Sequence, residues 1–314
     1  MIPALVLTAG LATRLRPLSL VRAKGALPVA GVPLASRILQ WLAASGVTDA
    51  VLNLHHLPET LTSRIGDGLD LGVRVRYSWE VPVLGSAGGP KRAVPIIGAS
   101  TFLIVNGDTL TDVDISALVA AHQRSGAAVT MAVIPNREPD KYSGLAGTKS
   151  GDVTGVVRRG STQPSFHFVG VQVAQASAFD SAPPDVPYES VGALYPSLIK
   201  ARPGSVRAFI AEANFHDIGT PADYLDSSQT IAAREGRGRQ EGAGCQIDPS
   251  ARLEGTILWD DVIVEAGAML RDCIVTDGVR VPADTAWHGV TMRVARGELA
   301  ATERRINGLA IAAL

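Results

Sequence analysis

The sequence is poor in cysteine, in net charge and in long apolar runs, and each shortage excludes a class of protein. Cys245 and Cys273 are the only cysteines among 314 residues, and without a CxxC pair or clustered histidines they predict neither a disulfide framework nor a zinc site. A net charge of −1 gives no general attraction to nucleic acid or to an anionic membrane. No apolar run approaches the ~18 residues of a membrane span, and the N-terminus lacks a signal-peptide pattern, so we expect a soluble cytoplasmic protein.

What is present indicates a globular protein with more than one domain. Hydrophobic residues make up 46% of the chain and charged residues 19%, a composition that can bury a sizeable core. A chain of this length usually divides into two domains. Any anion site must therefore be a local feature of an otherwise neutral protein.

Apolar runs alternate with segments of helical spacing through the first two thirds of the chain. The runs predict strands at residues 4–7, 50–54, 73–77, 101–105, 129–134, 153–158, 167–173 and 206–210. The spacing predicts helices at residues 34–45, 58–66, 116–125 and 221 to about 234. This alternation predicts an α/β fold with a Rossmann-like, mostly parallel sheet. In such sheets ligands bind at the carboxyl ends of the strands.

The last third of the chain has a different pattern. The stretch REGRGRQEGAG, residues 234–244, is Gly-rich and polar and predicts a linker. Beyond it, segments such as IDPSAR, VEAGAM and LRDCIV repeat an aliphatic residue about every six positions, which favours hexapeptide β-helix coils. Ordinary antiparallel strands are the alternative, and residues 297–314 predict a short helix and a closing strand. We therefore expect domains at 1–233 and 245–314, joined by 234–244.

The first predicted strand is followed by a basic segment that contains no carboxylate. The strand is followed by Thr8-Ala9-Gly10 and then by the cations Arg14, Arg16, Arg22 and Lys24. A glycine turn after a strand lets backbone N–H groups approach phosphates. An arginine can hold phosphate oxygens with two donors, and a lysine adds a mobile charge. The segment predicts a phosphate site, although a plain glycine turn would give the same first residues.

Two aspartates follow apolar segments elsewhere in the chain. Asp108 closes VNGD after one strand, and Asp217 precedes Gly219-Thr220-Pro221, where a helix can begin. Carboxylates beside a phosphate site are natural ligands of Mg²⁺. An N-cap or a turn is the alternative for each of them. Between them lies EVPVLGSAGGPKRA, whose glycines can bring backbone against a flat ligand before a helix that begins near Pro90.

In combination these motifs resemble the sugar-nucleotide pyrophosphorylases, a nucleotidyltransferase family with mannose-1-phosphate guanylyltransferases among its members. The opening resembles the family pattern GxGTRLxPLTxxxPKxLxP through Gly10, Thr13, Arg14, Lys24 and Pro28. The segments LGSAGG, VNGD, FVGVQV and DIGTPADYL follow in the family's order, so the similarity covers residues 4 to about 230. The C-terminal repeats resemble the left-handed β-helix of many members, through which self-association is an expectation.

The resemblance implies an enzyme that condenses a nucleoside triphosphate with a sugar 1-phosphate, with Mg²⁺ as cofactor. It implies triphosphate contacts for Arg14 and Lys24 and metal binding for Asp108 and Asp217, and with these it places Arg14, Lys24 and Asp108 in catalysis. The implied nucleotide site also contains Ala9, Gly10, Leu11, Thr13, Glu80, Gly85, Ser86 and Gly107. The implied sugar site contains Gly144, Gly170 and Glu189. Glu80 resembles the guanylyltransferase branch, which favours GTP with mannose 1-phosphate.

The sequence departs from the family pattern at three points. Ala12 replaces the second glycine, and Ala23 replaces the proline before the lysine. The Glu-Lys-Pro motif, whose lysine contacts the sugar phosphate, is missing, and Arg158 or Arg159 is its candidate replacement. A non-catalytic subunit that binds a nucleotide-sugar is therefore the competing hypothesis. A dinucleotide-dependent oxidoreductase is disfavoured, because Gly10 lacks the full GxGxxG set.

Overall fold

The computed structural model describes residues 2–297 and 299–314 of the chain. The described residues form six α-helices: α1 (Leu34–Ala44), α2 (Pro58–Ile65), α3 (Gly85–Ile97), α4 (Ile115–Ser125), α5 (Tyr195–Ala201) and α6 (Pro221–Arg234). Four of them match the predicted helices to within one residue. The helix predicted to begin near Pro90 is wrong at its start, because α3 begins at Gly85 and takes the glycines into its first turns.

Thirteen strands precede the C-terminal repeats in the described part of the chain. They are β1 (Ala4–Leu7), β2 (Pro28–Val29), β3 (Val32–Pro33), β4 (Asp49–Leu54), β5 (Arg74–Trp79), β6 (Thr101–Asn106), β7 (Thr109–Thr111), β8 (Val129–Pro135), β9 (Gly144–Gly147), β10 (Val153–Val157), β11 (Phe166–Gln175), β12 (Val206–Ile210) and β13 (Phe215–Asp217). Eight of these correspond to the predicted strands.

A parallel core of strands organises this sheet. Strands β6, β1, β4 and β5 lie side by side and all run parallel, as predicted. Strand β11 pairs antiparallel with β6 and with β8, and β9 and β10 extend that edge. The β1, β4 and β6 runs are almost wholly buried, which is typical of parallel strands covered on both faces. The predicted mostly parallel sheet is confirmed, with an antiparallel extension.

Most of the C-terminal strands form three parallel ladders, the arrangement of a short β-helix, and the last two strands extend one ladder in antiparallel pairing. They are β14 (Gln240–Glu241), β15 (Gln246–Ile247), β16 (Arg252–Glu254), β17 (Ile257–Leu258), β18 (Ile263–Val264), β19 (Met269–Arg271), β20 (Ile274–Val275), β21 (Arg280–Val281), β22 (Ala286–His288), β23 (Val290–Val294), β24 (Arg304–Ile306) and β25 (Leu309–Ala313). Their inward aliphatic side chains, such as Val264, Val275 and Val281, form one buried cluster.

Each coil of this β-helix contains 17 residues, because Gln240 pairs with Ile257 and Ile257 pairs with Ile274. Three perfect hexapeptides would need 18 residues, and this difference explains why the repeat is irregular in the sequence. Strand β14 lies inside the predicted linker, so the repeats begin earlier than the sequence indicated.

The chain ends in a β-hairpin. Strands β24 and β25 pair antiparallel, with Ile306 opposite Leu309, so that Asn307-Gly308 forms a two-residue turn with both residues at positive φ. The helix predicted within residues 297–314 is wrong for the described residues; Glu298 lies outside them. Arg293 in β23 and Glu303, which precedes β24, form a buried ion pair with Nε–Oε1 and Nη2–Oε2 distances of 2.6 Å. This pair connects β23 to the segment that leads into the hairpin.

The chain folds into two compact units, each assembled from separate stretches. The sheet unit contains the residues up to Gly10 together with Ala35–His56 and Ile65–His216. The β-helix unit contains Leu11–Leu34, Leu57–Arg64 and Asp217–Leu314. The basic segment after β1 therefore belongs with the C-terminal repeats, whereas the linear domain boundaries drawn from the sequence stay a prediction. Across the described residues, no helix is long and apolar enough to cross a membrane.

Candidate active site

Two strand ends of the sheet unit bring predicted site residues together. Strands β1 and β6 are neighbours in the sheet, with Leu7 opposite Asn106. The Gly107 N–H donates to the Leu7 carbonyl at 3.0 Å. This ladder places Ala9 and Gly10, which follow β1, at the same sheet edge as Gly107 and Asp108, which follow β6. Asp108 is half-buried there, and its Oδ1 accepts from the Thr109 hydroxyl at 3.2 Å.

The glycines at these two strand ends are needed for different reasons. A Cβ on Gly107 would lie 2.5 Å from the Leu7 carbonyl oxygen, so the protein's own packing requires glycine there. A Cβ on Gly10 would meet no described atom within 4 Å, and the residue is exposed. The fold therefore does not require glycine at position 10. The open space beside Gly10 is available to a ligand.

A buried polar network, which the sequence did not indicate, fixes the end of β1. The Asn53 Oδ1 accepts from the Thr8 and Ala9 N–H groups at 2.6 and 3.2 Å. Its Nδ2 donates to Glu80 Oε1 at 2.7 Å, and Glu80 Oε2 accepts from the Leu84 N–H at 2.8 Å. Asn53 could have been noticed as a polar residue within the apolar run VLNL.

The same network changes the interpretation of Glu80. Its side chain is 1% exposed, and both carboxylate oxygens already accept hydrogen bonds from the protein. A Cβ on Gly89 would lie 2.6 Å from Glu80 Oε1, so that glycine in LGSAGG makes room for the carboxylate. Through Asn53, Glu80 links the β1 end to the segment that opens α3.

The first turn of α3 connects two predicted subsites. Ser86 Oγ donates to Glu189 Oε2 at 2.7 Å and accepts from the Ser190 N–H at 2.9 Å. A Cβ on Gly85 would lie 2.9 Å from both Glu189 Oε1 and the Tyr188 carbonyl oxygen. The Tyr188 carbonyl also accepts from the first-turn N–H of Ala87 at 2.9 Å, a donor without an intrahelical partner. Predicted nucleotide residues and the predicted sugar residue Glu189 thus meet.

Two further predicted sugar residues lie on the antiparallel edge. Gly170 lies in β11 at positive φ, where a Cβ would lie 2.9 Å from Asn106 Cβ. Gly144 begins β9, and its Cβ would lie 2.1 Å from Ser165 Oγ. Close packing within the protein requires both glycines, and their contact with a sugar stays a prediction.

An aromatic cluster lies in the same part of the sheet unit. The His167 ring is 4.4 Å from the Tyr142 ring and 4.5 Å from the Phe215 ring, measured between centroids. Neither nitrogen of His167 has a hydrogen-bond partner among the described residues. Burial lowers the pKa of His167 to about 4, so the neutral imidazole is the stable form near neutral pH.

In the β-helix unit, the basic segment forms a loop of short 3-10 turns at Thr13–Leu15, Leu18–Leu20 and Lys24–Ala26. Leu11, Thr13, Arg14 and Arg16 are exposed on it, and Lys24 is half-buried. Ala12 adopts φ 47° and ψ 45°, the left-handed conformation that glycine adopts most easily. This geometry explains why the family pattern has glycine at that position.

Arg22 is paired with carboxylates, although the basic segment itself contains none. Its side chain is only 2% exposed, and its Nε donates to Asp277 Oδ2 at 2.7 Å. Its Nη2 donates to Asp260 Oδ2 at 2.6 Å and also to the second oxygen of Asp277. These carboxylates lie more than 230 positions away in the sequence, so inspection of the basic segment alone could not reveal the pairing.

The surroundings of Asp260 favour its charged form. Burial raises the pKa of this carboxyl, but the charges of Arg22 and Arg64 and a hydrogen bond from the Ala243 N–H together outweigh burial and lower it. Arg64 Nη2 donates to Asp260 Oδ2 at 3.0 Å. Asp260 therefore remains ionised through the neutral pH range.

The second predicted metal residue, Asp217, closes β13 at the start of a tight turn into α6. A Cβ on Gly219 would lie 2.9 Å from Asp217 Oδ2, so glycine is required for the turn. Thr220 caps the helix, because its Oγ1 accepts from the Asp223 N–H at 3.1 Å, and Pro221 takes the first helical position. The predicted loop and helix start are confirmed.

The carboxylates fit magnesium better than a metal that needs a complete protein cage. No group of three or more His, Cys, Asp or Glu side chains suitable for a metal occurs in the described part of the chain. Magnesium needs only one or two carboxylates when phosphates and water complete its shell. Asp108 and Asp217 are suitable donors of this kind.

The region that should contain the Glu-Lys-Pro lysine offers only exposed cations. Arg158 and Arg159 follow β10, and both are exposed. Strand β10 pairs only with β9 among the described strands of the sheet, apart from an isolated bridge at Asp152. The replacement for the family's sugar-phosphate lysine therefore stays a prediction.

A mostly parallel sheet with glycines and an aspartate at adjacent strand ends is typical of α/β nucleotide-binding proteins. The chain belongs to the nucleotidyl transferase family, whose profile matches residues 3–234. The predicted enzyme family, the nucleotidyltransferases, is therefore confirmed.

Curated relatives and a solved structure agree with this assignment. The chain is 26% identical over 297 residues to a mannose-1-phosphate guanylyltransferase of Mycobacterium tuberculosis, covering 86% of this chain and 83% of the relative. It is also 26% identical over 304 residues to a UTP–glucose-1-phosphate uridylyltransferase of Synechocystis, covering 88% and 76%. The crystal structure of HddC from Yersinia pseudotuberculosis covers 74% of this chain and 100% of its own, with a TM-score of 0.65 at 23% identity, and shows the shared fold.

Proposed function

We propose that the protein is a sugar-1-phosphate nucleotidyltransferase that joins a nucleoside triphosphate, preferably GTP, to a sugar 1-phosphate, preferably mannose 1-phosphate. The products are a nucleoside diphosphate sugar and pyrophosphate. The sugar phosphate oxygen attacks the α-phosphorus in line, the P–O bond to the β-phosphate breaks, and pyrophosphate leaves with that electron pair. No covalent enzyme intermediate is needed.

The observation that carries this proposal is the paired end of β1 and β6. It supplies the open space at Gly10 and the Asp108 carboxylate at one sheet edge. A reaction between two anions needs alignment and neutralisation of charge more than it needs a nucleophilic side chain. This edge would align the reactants, and its carboxylate would help to hold the Mg²⁺ that neutralises charge.

The basic loop supplies the remaining charge in this proposal. Arg14, exposed on its 3-10 turn, binds the β and γ phosphates with two donors. Lys24 neutralises charge near the α-phosphate. Ala9, Gly10, Leu11, Thr13, Gly85, Ser86 and Gly107 frame the nucleotide, and Gly144, Gly170 and Glu189 face the sugar.

Magnesium is the proposed cofactor, held by Asp108 and Asp217, and when bound it would neutralise phosphate charge. The Thr109 hydroxyl, which donates to Asp108, orients one oxygen of that carboxylate. The tight turn at Gly219 fixes the backbone that carries Asp217.

The proposed base and sugar preference follows from one residue and from the named relatives. Glu80 before LGSAGG and the mycobacterial relative favour GTP with mannose 1-phosphate. The Synechocystis relative, equally identical in sequence, acts on UTP and glucose 1-phosphate by its name. Since Glu80 is buried, we propose that it affects base choice by holding Asn53 and Leu84 in place.

The decisive experiment measures pyrophosphate release with Mg²⁺ for ATP, GTP, CTP, UTP and dTTP, each combined with a panel of sugar 1-phosphates. We expect release to require GTP and mannose 1-phosphate. Release with another pair would retain the enzyme class and overturn the specificity. Absence of release with every pair, together with measurable nucleotide-sugar binding, would favour the non-catalytic subunit.

Two neighbouring arginines provide a matched control for that experiment. Arg14 and Arg16 are both exposed on the same loop, but only Arg14 matches the family pattern. We expect Arg14→Ala to reduce kcat by about 100-fold and Arg16→Ala to change it by less than about 3-fold. Equal losses in both variants would mean that the loop contributes only general positive charge.

A further inference from the structure

The loop that carries Lys24 is attached to the β-helix by a buried arginine. Arg22 lies two positions before Lys24 and makes a forked contact to Asp277 and a further hydrogen bond to Asp260. The Arg22 guanidinium also lies 4.9 Å from the ring centroid of Trp259, close enough for a cation–π contact. Trp259 and Asp260 belong to one coil of the β-helix, and Asp277 belongs to the next.

The carboxylates that hold Arg22 are themselves fixed by the coils. The Asp260 N–H donates to Asp277 Oδ1 at 3.1 Å, and Asp260 Oδ1 accepts from the Ala243 N–H at 3.1 Å. Asp260 and Asp277 are 17 positions apart, which is one coil. A Cβ on Gly242 would lie 2.4 Å from Asp260 Oδ1, so the preceding coil is shaped around this carboxylate.

A second attachment holds the other side of Lys24. The Tyr224 hydroxyl donates to the Pro28 carbonyl at 2.6 Å, and it accepts from Trp259 Nε1 at 3.1 Å. Trp259 and Tyr224 are fully buried. Trp259, which lies against Arg22, is therefore connected to Pro28 through the two hydrogen bonds of the Tyr224 hydroxyl.

The residue beside Lys24 is held in a third way. Ala23 has φ −55° and ψ 146°, values that proline adopts, but alanine keeps its N–H and donates it to Thr60 Oγ1 at 2.9 Å. A hydrogen bond thus replaces the ring constraint that the family pattern places before its lysine.

We propose that Arg22 is a positioning residue, and that the Asp260–Asp277 pair of the β-helix acts through it to hold Lys24 in the geometry that turnover requires. The proposal rests on the proposed function. A buried arginine held by two carboxylates is costly to desolvate and is weak evidence for stability alone. Its rigid fork instead fixes direction, and the two attachments leave only five residues, 23–27, between them.

The test compares four full-length variants with the native protein. Arg22→Met removes the charge at similar length, Arg22→Lys keeps the charge without the fork, and Asp277→Asn keeps the shape of the acceptor. Asp284→Asn is the matched control, because Asp284 is an exposed β-helix carboxylate at positive φ, a conformation that asparagine tolerates. Each variant is measured for kcat, for KM of the nucleoside triphosphate, and for amide hydrogen exchange of residues 16–28.

We expect Arg22→Met and Asp277→Asn to reduce kcat by about 10-fold or more while KM for the nucleotide changes by less than about 3-fold. Exchange at residues 22–27 should rise in both, and Arg22→Lys should lie between Arg22→Met and the native protein. Asp284→Asn should match the native protein. Unchanged kcat in a variant whose loop exchange has risen would overturn the proposal, as would lowered kcat with native exchange across residues 16–28.

The exchange measurement separates this proposal from the proposed function. If the native protein releases no pyrophosphate with any substrate pair, the function has failed. Raised exchange at 22–27 in Asp277→Asn, with Asp284→Asn unchanged, would then still support attachment of the loop. If the native protein is active and all four variants keep native kcat, the positioning role alone has failed.

Discussion

The sheet edge and the basic loop contribute to the same proposed reaction but are built by opposite means. At the sheet edge, ladder pairing and glycine packing between β1 and β6 fix Gly107 and the start of the segment that carries Asp108. In the loop, a carboxylate from a remote coil holds Arg22, and a tyrosine of α6 holds the Pro28 carbonyl. Backbone pairing produces geometry that a sequence pattern can indicate, whereas long-range side-chain pairs produce geometry that it cannot. Five tests break or sharpen this contrast.

The largest effect is expected at Asp108, the proposed magnesium ligand at the sheet edge. Asp108→Asn removes a carboxylate charge and keeps the side-chain size, so we expect Mg²⁺-dependent turnover to fall by at least about 100-fold with the fold intact. Asp114→Asn is the control, since Asp114 only caps α4 and asparagine caps equally well. Pyrophosphate release and thermal unfolding measure the two effects. Retained turnover in Asp108→Asn would remove this residue from the metal site.

The corresponding change in the loop is Lys24→Ala. Loss of one positioned charge should reduce kcat by about 100-fold. The free energy of unfolding should change by less than about 1 kcal/mol, because Lys24 is only half-buried. Steady-state kinetics beside urea unfolding would measure both quantities. A variant with native kcat would show that the loop is held in place for some other purpose.

Adding a methyl group should have different effects at the two glycines of the sheet edge. It should lower stability at Gly107 and weaken nucleotide binding at Gly10. Gly107→Ala places a Cβ 2.5 Å from the Leu7 carbonyl oxygen and should destabilise the protein by about 1–3 kcal/mol. Gly10→Ala should change stability by less than about 0.5 kcal/mol but weaken nucleotide binding. Urea unfolding and titration calorimetry distinguish the cases. If Gly10→Ala binds nucleotide as the native protein does, the open space beside it is not a ligand site.

His167 is a buried residue that belongs neither to the paired strand ends nor to the side-chain pairs that hold the loop. Its folded pKa of about 4 lies below the ordinary value of 6.5, so the unfolded chain binds more protons between these values. Stability should therefore fall as pH drops from about 6.5, and this loss should be complete below about 4. His167→Phe should flatten this dependence, measured as urea midpoints at several pH values. Part should persist, because burial also lowers the pKa of His122. An unaltered pH dependence would contradict the assignment.

The smallest effect is expected at Ala12. A residue other than glycine at positive φ is strained by about 1 kcal/mol, and glycine would relieve this at some entropic cost. We expect Ala12→Gly to raise the free energy of unfolding by about 0.5 kcal/mol. A loss of stability would instead indicate that the alanine methyl makes a useful contact.

The sequence predicted the features that follow from short-range pattern. Buried apolar runs marked β1 and β6, and the helix start after Gly219 followed from Thr220 and Pro221. The resemblance then led to the correct family. The start of α3 was missed because its glycines and Pro90 suggested a loop, whereas the 186–189 segment packs against them and supplies the Tyr188 carbonyl to its first turn. The terminal hairpin was missed although Asn307-Gly308 is a strong turn signal.

What the sequence could not provide is the set of partners that come from distant positions. Arg22 looked like one more phosphate-binding cation, because nothing near it in the chain is acidic. Asn53 is a polar residue within an apolar strand, and its partners Ala9 and Glu80 lie 44 and 27 positions away in the chain. Such pairs depend on tertiary folding, which a periodicity or a spacing does not encode.

The 17-residue coil also restricts how the C-terminal region can change in length. Inserting or deleting one whole coil keeps every inward side chain inward, whereas any other length change rotates apolar residues out to solvent. Since Arg22 uses carboxylates from two successive coils, a deletion between them would separate the loop from its anchors. Length variation among relatives that keep this anchor should therefore occur in steps of about one coil, and beyond Asp277.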